Sequence, residues 1–360
     1  MPARSWRWSP ACGRGTGTSR RRCEAGPTGF ELARALAEEG IACQVAAPSK
    51  LLRPSGERVK TDRRDAILLA RLARNDDIAR GAGPAPACQE GARDLVRSRA
   101  DARGDLMTAR HRLSKMLLRR GIVYDGARTW TRIHDAWLRR VRRDHVIGMG
   151  PSALAAFDDA YDTVVHTTAR RDRLDEAIAG LYHDGELAPT ARRLACLRGV
   201  SALTAVSLAV EIGDQGRFKG STIACLPRPG PLRAPLRGSR PASRGPITKT
   251  GNTHARRLLI EAAWHHAPAY RPSKAIRARW ALAPAPVAER ADAGNRRLHA
   301  RYQALTARGK KHAVVATAIA RQSAGWLWSP GSPWTPRTST TTTTSTTSTT
   351  GTAQPGTQEP

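Results

Sequence analysis

Two heptad seams constrain the fold more than any other feature of this chain. Ala102, Leu106, Ala109, Leu113 and Met116 follow one another at spacings of 4, 3, 4 and 3 residues, and Leu154, Phe157, Tyr161, Val164 and Thr168 at 3, 4, 3 and 4. Such a repeat keeps one apolar stripe turned toward a partner helix, so each run specifies a long helix that needs another helix against it. The spacing predicts helices over about 89–120 and about 152–183, paired antiparallel across a connector that holds Trp130 and Trp137. The product is an extended helical arm or a dimerisation surface.

On the amino-terminal side of the arm the periodicity is different. Phe30, Leu32, Ala33, Leu36 and Ala37 recur at helical spacing, Gly40 stops that helix, and residues 41–46 read as a short buried strand, which makes a helix-to-strand unit of an α/β domain. Thr61-Asp62 can cap a further helix that carries Ala66, Leu68, Leu69 and Leu72. On the carboxy-terminal side, helical patterns at about 191–197, 202–212, 253–267, 290–307 and 311–327 predict a second, mostly helical domain. Residues 1–22 and 222–244 stand apart, being rich in Arg and free of acids, and residues 1–22 are read as no core strand. Thr338–Thr350 holds only Thr and Ser, a composition that cannot build a core. The expected organisation is therefore an anomalous 1–22, an α/β part at 23–86, an arm at 87–188, a helical domain at 189–330 and a disordered tail at 331–360.

Charge narrows the partner. The 360 residues contain 60 Lys or Arg and 30 Asp or Glu, a net charge of +30, and 52 of the 60 cations are Arg, whose planar fork suits bidentate phosphate contact. A polyanion, most simply nucleic acid, is the expected partner. Six scattered cysteines form no C-x-x-C pair and the histidines no H-E-x-x-H, which excludes zinc-finger spacing and points to a reducing cytoplasm, nucleoid-associated if DNA is bound. No apolar run approaches a membrane span, so no membrane partner is expected.

Three carboxylates can carry chemistry. Asp62 and Asp65 lie three apart at a helix start, within reach of one hard cation such as Mg²⁺, and Glu24 sits at a glycine-rich turn before a helix. The same two aspartates could instead serve as an N-cap and a macrodipole partner. Leu197-Arg198-Gly199-Val200-Ser201-Ala202 reads as a helix-hairpin-helix turn, where a glycine lets the backbone approach a phosphate, or as an ordinary turn between helices. Lys249, Thr250, Gly251, Asn252, Arg256 and Arg257 form a second candidate phosphate contact at a helix start, and Lys60, Arg63 and Arg64 flank the acidic pair. Arg93, Arg97, Arg99, Arg103, Arg110, Arg112, Arg119 and Arg120 could follow a nucleic-acid backbone along the first long helix, or form a solvated face with the interleaved aspartates. Asp158, Asp159 and Asp162 read as surface charge, Trp326 and Trp328 as core anchors, and His265 and His266 lack metal-ligand companions.

Taken in order, Glu24-Ala25-x-x-Thr28-Gly29, Ala47-Pro48-Ser49-Lys50 and Lys60-Thr61-Asp62-x-x-Asp65-Ala66 resemble the amino-terminal domain of the DEDD transposases of insertion-sequence family 110. Leu197–Ala205, Glu211-Ile212-Gly213-Asp214 with Arg217-Phe218, and Gly245–Leu259 are similar to that family's second domain. The resemblance runs with gaps from about Glu24 to Trp328. It implies an RNase H-like (RuvC-like) domain, a coiled-coil arm and a transposase domain with a helix-hairpin-helix. It also implies four metal-binding carboxylates, of which Glu24, Asp62 and Asp65 would be the second, third and fourth, and a serine that attacks DNA. The implied partners are the element's DNA ends and target, an element-encoded guide RNA and further copies of the chain.

Two departures from that pattern stand out. Residues 1–23 hold no Asp or Glu, so the first carboxylate is missing. The serine's Ser-Gly context is also missing: Ser239 matches by position only, and Ser243 is the other local candidate. Both departures fall in the acid-free stretches, as a frame shift in GC-rich coding DNA would produce, and the expectation is a truncated, frame-disturbed transposase copy. The competing expectations are a non-enzymatic nucleic-acid-binding remnant and, more remotely, a junction resolvase or invertase.

Overall fold

The computed structural model describes residues 21–24, 29–41, 43–46, 61–74, 87–213 and 252–328. Contacts divide the chain into two units, residues 1–94 and 95–360.

The first unit holds a strand, a helix and a parallel strand: β1 (Arg21–Glu24), α1 (Gly29–Glu38) and β2 (Cys43–Ala46). The register pairs Cys23 with Val45 and Glu24 with Ala46. Alternation along the strands separates the two faces. Cys23 and Val45 pack with Ala33 and Phe30 of α1, whereas Ala46 is wholly buried with Leu68 and Leu72 of α2 (Asp62–Arg74). Helices thus cover both faces of a two-stranded sheet, the arrangement that parallel pairing requires. The strand β1 corrects the sequence reading, which excluded residues through 22 from any strand. Its Arg21-Arg22 start conceals it, since Cys23 is its sole buried hydrophobic residue. Gly40 ends α1 with φ +72°, as expected of a helix-stopping glycine.

In the second unit α3 (Ala87–Leu118), whose first two turns belong to the first unit, runs antiparallel to α5 (Pro151–Asp184). Two ion pairs set the direction: Arg99 donates to both oxygens of Asp175 (2.6 and 3.2 Å), and Arg170 to Asp105 (3.0 Å). Ala102, Leu106, Ala109, Leu113, Phe157 and Val164 of the two seams are buried, while Met116, Leu154 and Tyr161 are partly so. The connector is itself helical, which the sequence reading missed. It comprises α4 (Arg132–Val141), a π turn at Arg142–Val146 and a 3₁₀ turn at Ile147–Met149. Its buried face is His134, Leu138 and Val141, and Thr131 caps it by accepting from the His134 N–H. The cluster that closes this end of the arm holds no buried residue beyond Val164.

The rest of the second unit is a helical body: α6 (Ala188–Leu194), α7 (Ala202–Ile212), α8 (Thr253–Trp264), α9 (Lys274–Trp280), α10 (Ala285–Ala307) and α11 (His312–Trp328). Helix α7 is its centre, buried at every residue from Ala205 to Ile212, as an almost wholly apolar helix must be. The seven-residue α9 escaped the sequence reading because only Ile276 of it is buried. Among the described residues no helix is long and apolar enough to cross a membrane.

Candidate functional site

Of the three carboxylates singled out in the sequence, Glu24 lies at the end of a strand and Asp62 and Asp65 in the first turn of a helix. Glu24 ends β1, at the carboxyl edge of the parallel pair, where open α/β sheets bind ligands. Its register partner Ala46 lies beneath Leu68 and Leu72, which belong to the same helix that begins with Asp62 and Asp65. Thr61 caps α2. The Arg64 N–H donates to Thr61 Oγ1 at 3.4 Å, and the Asp65 N–H to the Thr61 carbonyl at 3.0 Å. Asp65 is half-buried, and Arg63 and Arg64 are exposed. The side chains of Glu24 and Asp62 lie outside the described ones, as do Lys60, Ser239, Ser243, Lys249, Thr250 and Gly251. Among the described residues no group of three or more His, Cys, Asp or Glu is placed to hold a metal.

In the helical body the turn between α6 and α7 is built tightly. Gly199 has φ +83°, and a Cβ there would lie 2.3 Å from the Ala262 carbonyl oxygen of α8. Both the backbone angle and the close approach demand glycine. Ser201 caps α7, accepting from the Thr204 N–H at 3.2 Å. The Arg198 N–H donates to Oδ1 of the wholly buried Asn295 (2.9 Å), and its guanidinium to the carbonyls of Pro268 (2.9 Å) and Ala269 (3.2 Å). Arg198 is thereby tied to the loop after α8 while its side chain stays at the surface. Beside the turn opens a cleft of about 610 Å³ that Ser201, Tyr270, Arg271 and Arg279 help to line. Burial pushes the Arg279 guanidinium below its usual value, and Arg279 donates to the Val200 carbonyl.

A second constellation gathers around Glu211, whose side chain is 1% exposed. Arg97 donates to both its oxygens (3.0 and 3.2 Å), Asn252 Nδ2 donates to Oε2 at 2.6 Å, and His254 Nδ1 lies 3.1 Å from Oε1. Burial alone would raise this carboxyl, but the hydrogen bonds from His254, Arg97 and Asn252, with the charge of Arg97, hold it well below the usual range. Asn252 also caps α8, its Oδ1 accepting from the Ala255 N–H at 3.0 Å. Its amide is therefore engaged at both ends within the protein. Arg256 is half-buried and Arg257 is exposed on the same helix.

The arginines of α3 are also largely committed. Arg97 serves Glu211, Arg99 serves Asp175, Arg103 lies 4.0 Å from Glu261, and Arg110 sits over the Trp130 ring at 5.0 Å. Asp158 receives both arms of Arg142 at 2.6 and 2.7 Å. Trp326 packs against Gly294 and under Arg290. His266 is 1% exposed, and burial pushes it down to about 3, so it stays neutral.

Two similar proteins decide the family. Over 306 residues the chain is 37% identical to a Sinorhizobium fredii protein named as transposase y4qE, a match that covers 85% of this chain and 73% of that one. Over 295 residues it is 33% identical to the transposase for insertion sequence element IS1533 of Leptospira borgpetersenii, covering 80% and 82%. The chain belongs to the insertion-sequence transposases. No protein-family model matches it. Within this transposase, the sequence pointed to the Gly199 turn but missed Asn295 and the Glu211 constellation. Glu211 did leave a signal, being the one charge in the apolar run of α7. Asn295, one polar residue among many on α10, left none.

Proposed function

We propose that this transposase cuts and rejoins DNA strands at the ends and target of its insertion sequence, using Mg²⁺ or another divalent cation held by Glu24, Asp62 and Asp65. The observation that carries the proposal is the register that sets Glu24 beside Ala46, under the helix that begins with both aspartates. Carboxylates are hard oxygen donors and suit such a cation. When bound, the cation would polarise a phosphoryl oxygen and stabilise the charge that builds during strand exchange. The protein's own part is to hold the acids at one sheet edge and to set the exposed Arg63 next to them for a phosphate. In the helical body, the Ser201-capped start of α7 would meet the DNA backbone, with Gly199 shaping that turn and Arg198 at the cleft beside it. On this reading the first unit is an RNase H-like DEDD domain of the family-110 type, the α6–α7 turn is a helix-hairpin-helix, and a guide RNA and further copies of the chain complete the assembly.

One observation favours a second reading. Residues 1–23 carry many Arg and no Asp or Glu, a composition suited to binding nucleic acid rather than to strand chemistry. Nicking of DNA that carries the element's ends, in Mg²⁺ and in EDTA, separates the two. Strand chemistry predicts Mg²⁺-dependent products lost in Asp62→Asn and Asp65→Asn. Binding alone predicts no products from the native chain and unchanged affinity in both variants.

A further inference from the structure

The segment that closes the arm, residues 119–150, is not accounted for by the metal corner or by the helical body. From Lys115 to His145 there are nine Lys or Arg against three Asp. Two of those acids are taken: Asp135 by the Tyr161 hydroxyl (2.6 Å) and Arg139 (3.0 Å), and Asp144 by Arg143 (3.0 Å). Arg119, Arg128, Arg132 and Arg140 are exposed and have no ion-pair partner among the described residues. Elsewhere on α3 Arg97, Arg99, Arg103 and Arg110 find partners within the chain, so along the arm the cations of the tip are the ones left for an outside partner.

The tip also carries aromatic rings held in a strained frame. Tyr124 meets His134 edge-on with ring centres 4.7 Å apart and Trp137 at 5.1 Å, and Trp130 lies 5.0 Å from His134. Trp130 has φ +63°, the one non-glycine residue with positive φ among those described. A bulky residue in that region costs energy, and such strain gathers where a side chain is presented for use. Both Tyr124 and Trp130 are partly exposed, and near them Ile133 and Val123 stand 72% and 63% exposed.

We propose that the arm tip is a second nucleic-acid site that takes an unpaired segment, with Arg119, Arg128, Arg132 and Arg140 on its phosphates and the Trp130 and Tyr124 rings against its bases. Charge decides between this occupant and a second copy of the chain. In a symmetric pairing the same cations would face one another, whereas a polyanion neutralises them and releases its counterions. The aromatic rings decide between an unpaired strand and a duplex, because a ring stacks only on a base that has left its helix. The proposal rests on the tip alone and is independent of the metal chemistry proposed above.

The test uses the full chain and a fluorescein-labelled strand of mixed sequence, single or annealed to its complement, titrated across a range of salt. The tip variant is Arg119→Gln, Arg128→Gln, Arg132→Gln, Arg140→Gln. The control carries Arg301→Gln, Arg308→Gln, Lys310→Gln and Lys311→Gln, four exposed cations of the helical body. The salt dependence of single-strand binding should flatten by about 0.7 per lost contact in the tip variant and stay unchanged in the control. Trp130→Gly, which relieves the positive φ, should weaken the single strand about ten-fold and the duplex little, while Trp130→Phe keeps a ring and retains binding. Thermal melts confirm that each variant is folded. An unchanged slope in the tip variant, or an equal fall in the control, overturns the site. A tip variant that binds normally but sediments as a smaller species overturns it in favour of a second copy. Equal loss of single strand and duplex in Trp130→Gly overturns the stacking.

Discussion

Glu211 shows how one side chain can hold three elements together. It lies on α7, its partner Arg97 is 114 residues away on α3, and Asn252 and His254 stand at the start of α8. A carboxyl held well below its ordinary value of 4.5 contributes stability that is complete above that pH and is lost as pH falls through the depressed value. Glu211→Gln should therefore cost about 2 kcal/mol at pH 7, because the amide keeps part of the network and Arg97 is itself half in solvent. Urea unfolding should show the gap between native and variant narrowing below pH 4.5, where the native protein loses the same contribution. A gap that stays constant to pH 3 would show that Glu211 acts by packing alone. The charge was legible in the sequence as an interruption of an apolar helix. Its partners were not, because nothing local ties Arg97 to a helix that lies more than a hundred residues on.

Among the elements, the arm was read most fully, since a heptad seam states both that a helix forms and which face it buries. The connector helix α4 was hidden for a physical reason: its buried stripe begins with a histidine and is crowded by Arg139 and Arg140. That histidine is kept neutral by burial, which lowers its affinity for a proton. Strand β1 was hidden by its arginines, and α9 by its brevity. The arm core closes on Phe157, which is 1% exposed. Phe157→Ala should remove about 3–5 kcal/mol from that core. Because the cluster contains no buried residue of the helical body, the loss should appear as an earlier transition of the Trp130 and Trp137 fluorescence. Trp280, whose indole donates to the Cys196 carbonyl at 3.0 Å, should report a later transition. One transition shifted as a whole would mean that arm and body unfold together.

At the scale of the whole molecule, the charge of +30 was evident from composition, but its distribution was not. Many arginines are spent on internal carboxylates, carbonyls and rings, as at Glu211, Asp175, Pro268 and Trp130. The number that reaches a nucleic acid is therefore smaller than the composition suggests. Duplex binding by the full chain should lose affinity linearly in log salt, with a slope of about −0.9 for each phosphate contact. Competition between specific and mixed DNA across that range would count those contacts directly. A slope near zero would mean that the cations serve the fold alone.

The antiparallel pairing of α3 and α5 has a consequence for how such proteins can vary. Its core is a repeat, and its closing cluster is self-contained. One heptad added to each helix at matching register would leave every packing layer intact and carry the tip about 10 Å further out. Unequal additions would instead turn one seam away from the other. The arm is thus a ruler graduated in heptads, and reach can be altered by whole graduations while both ends keep their architecture.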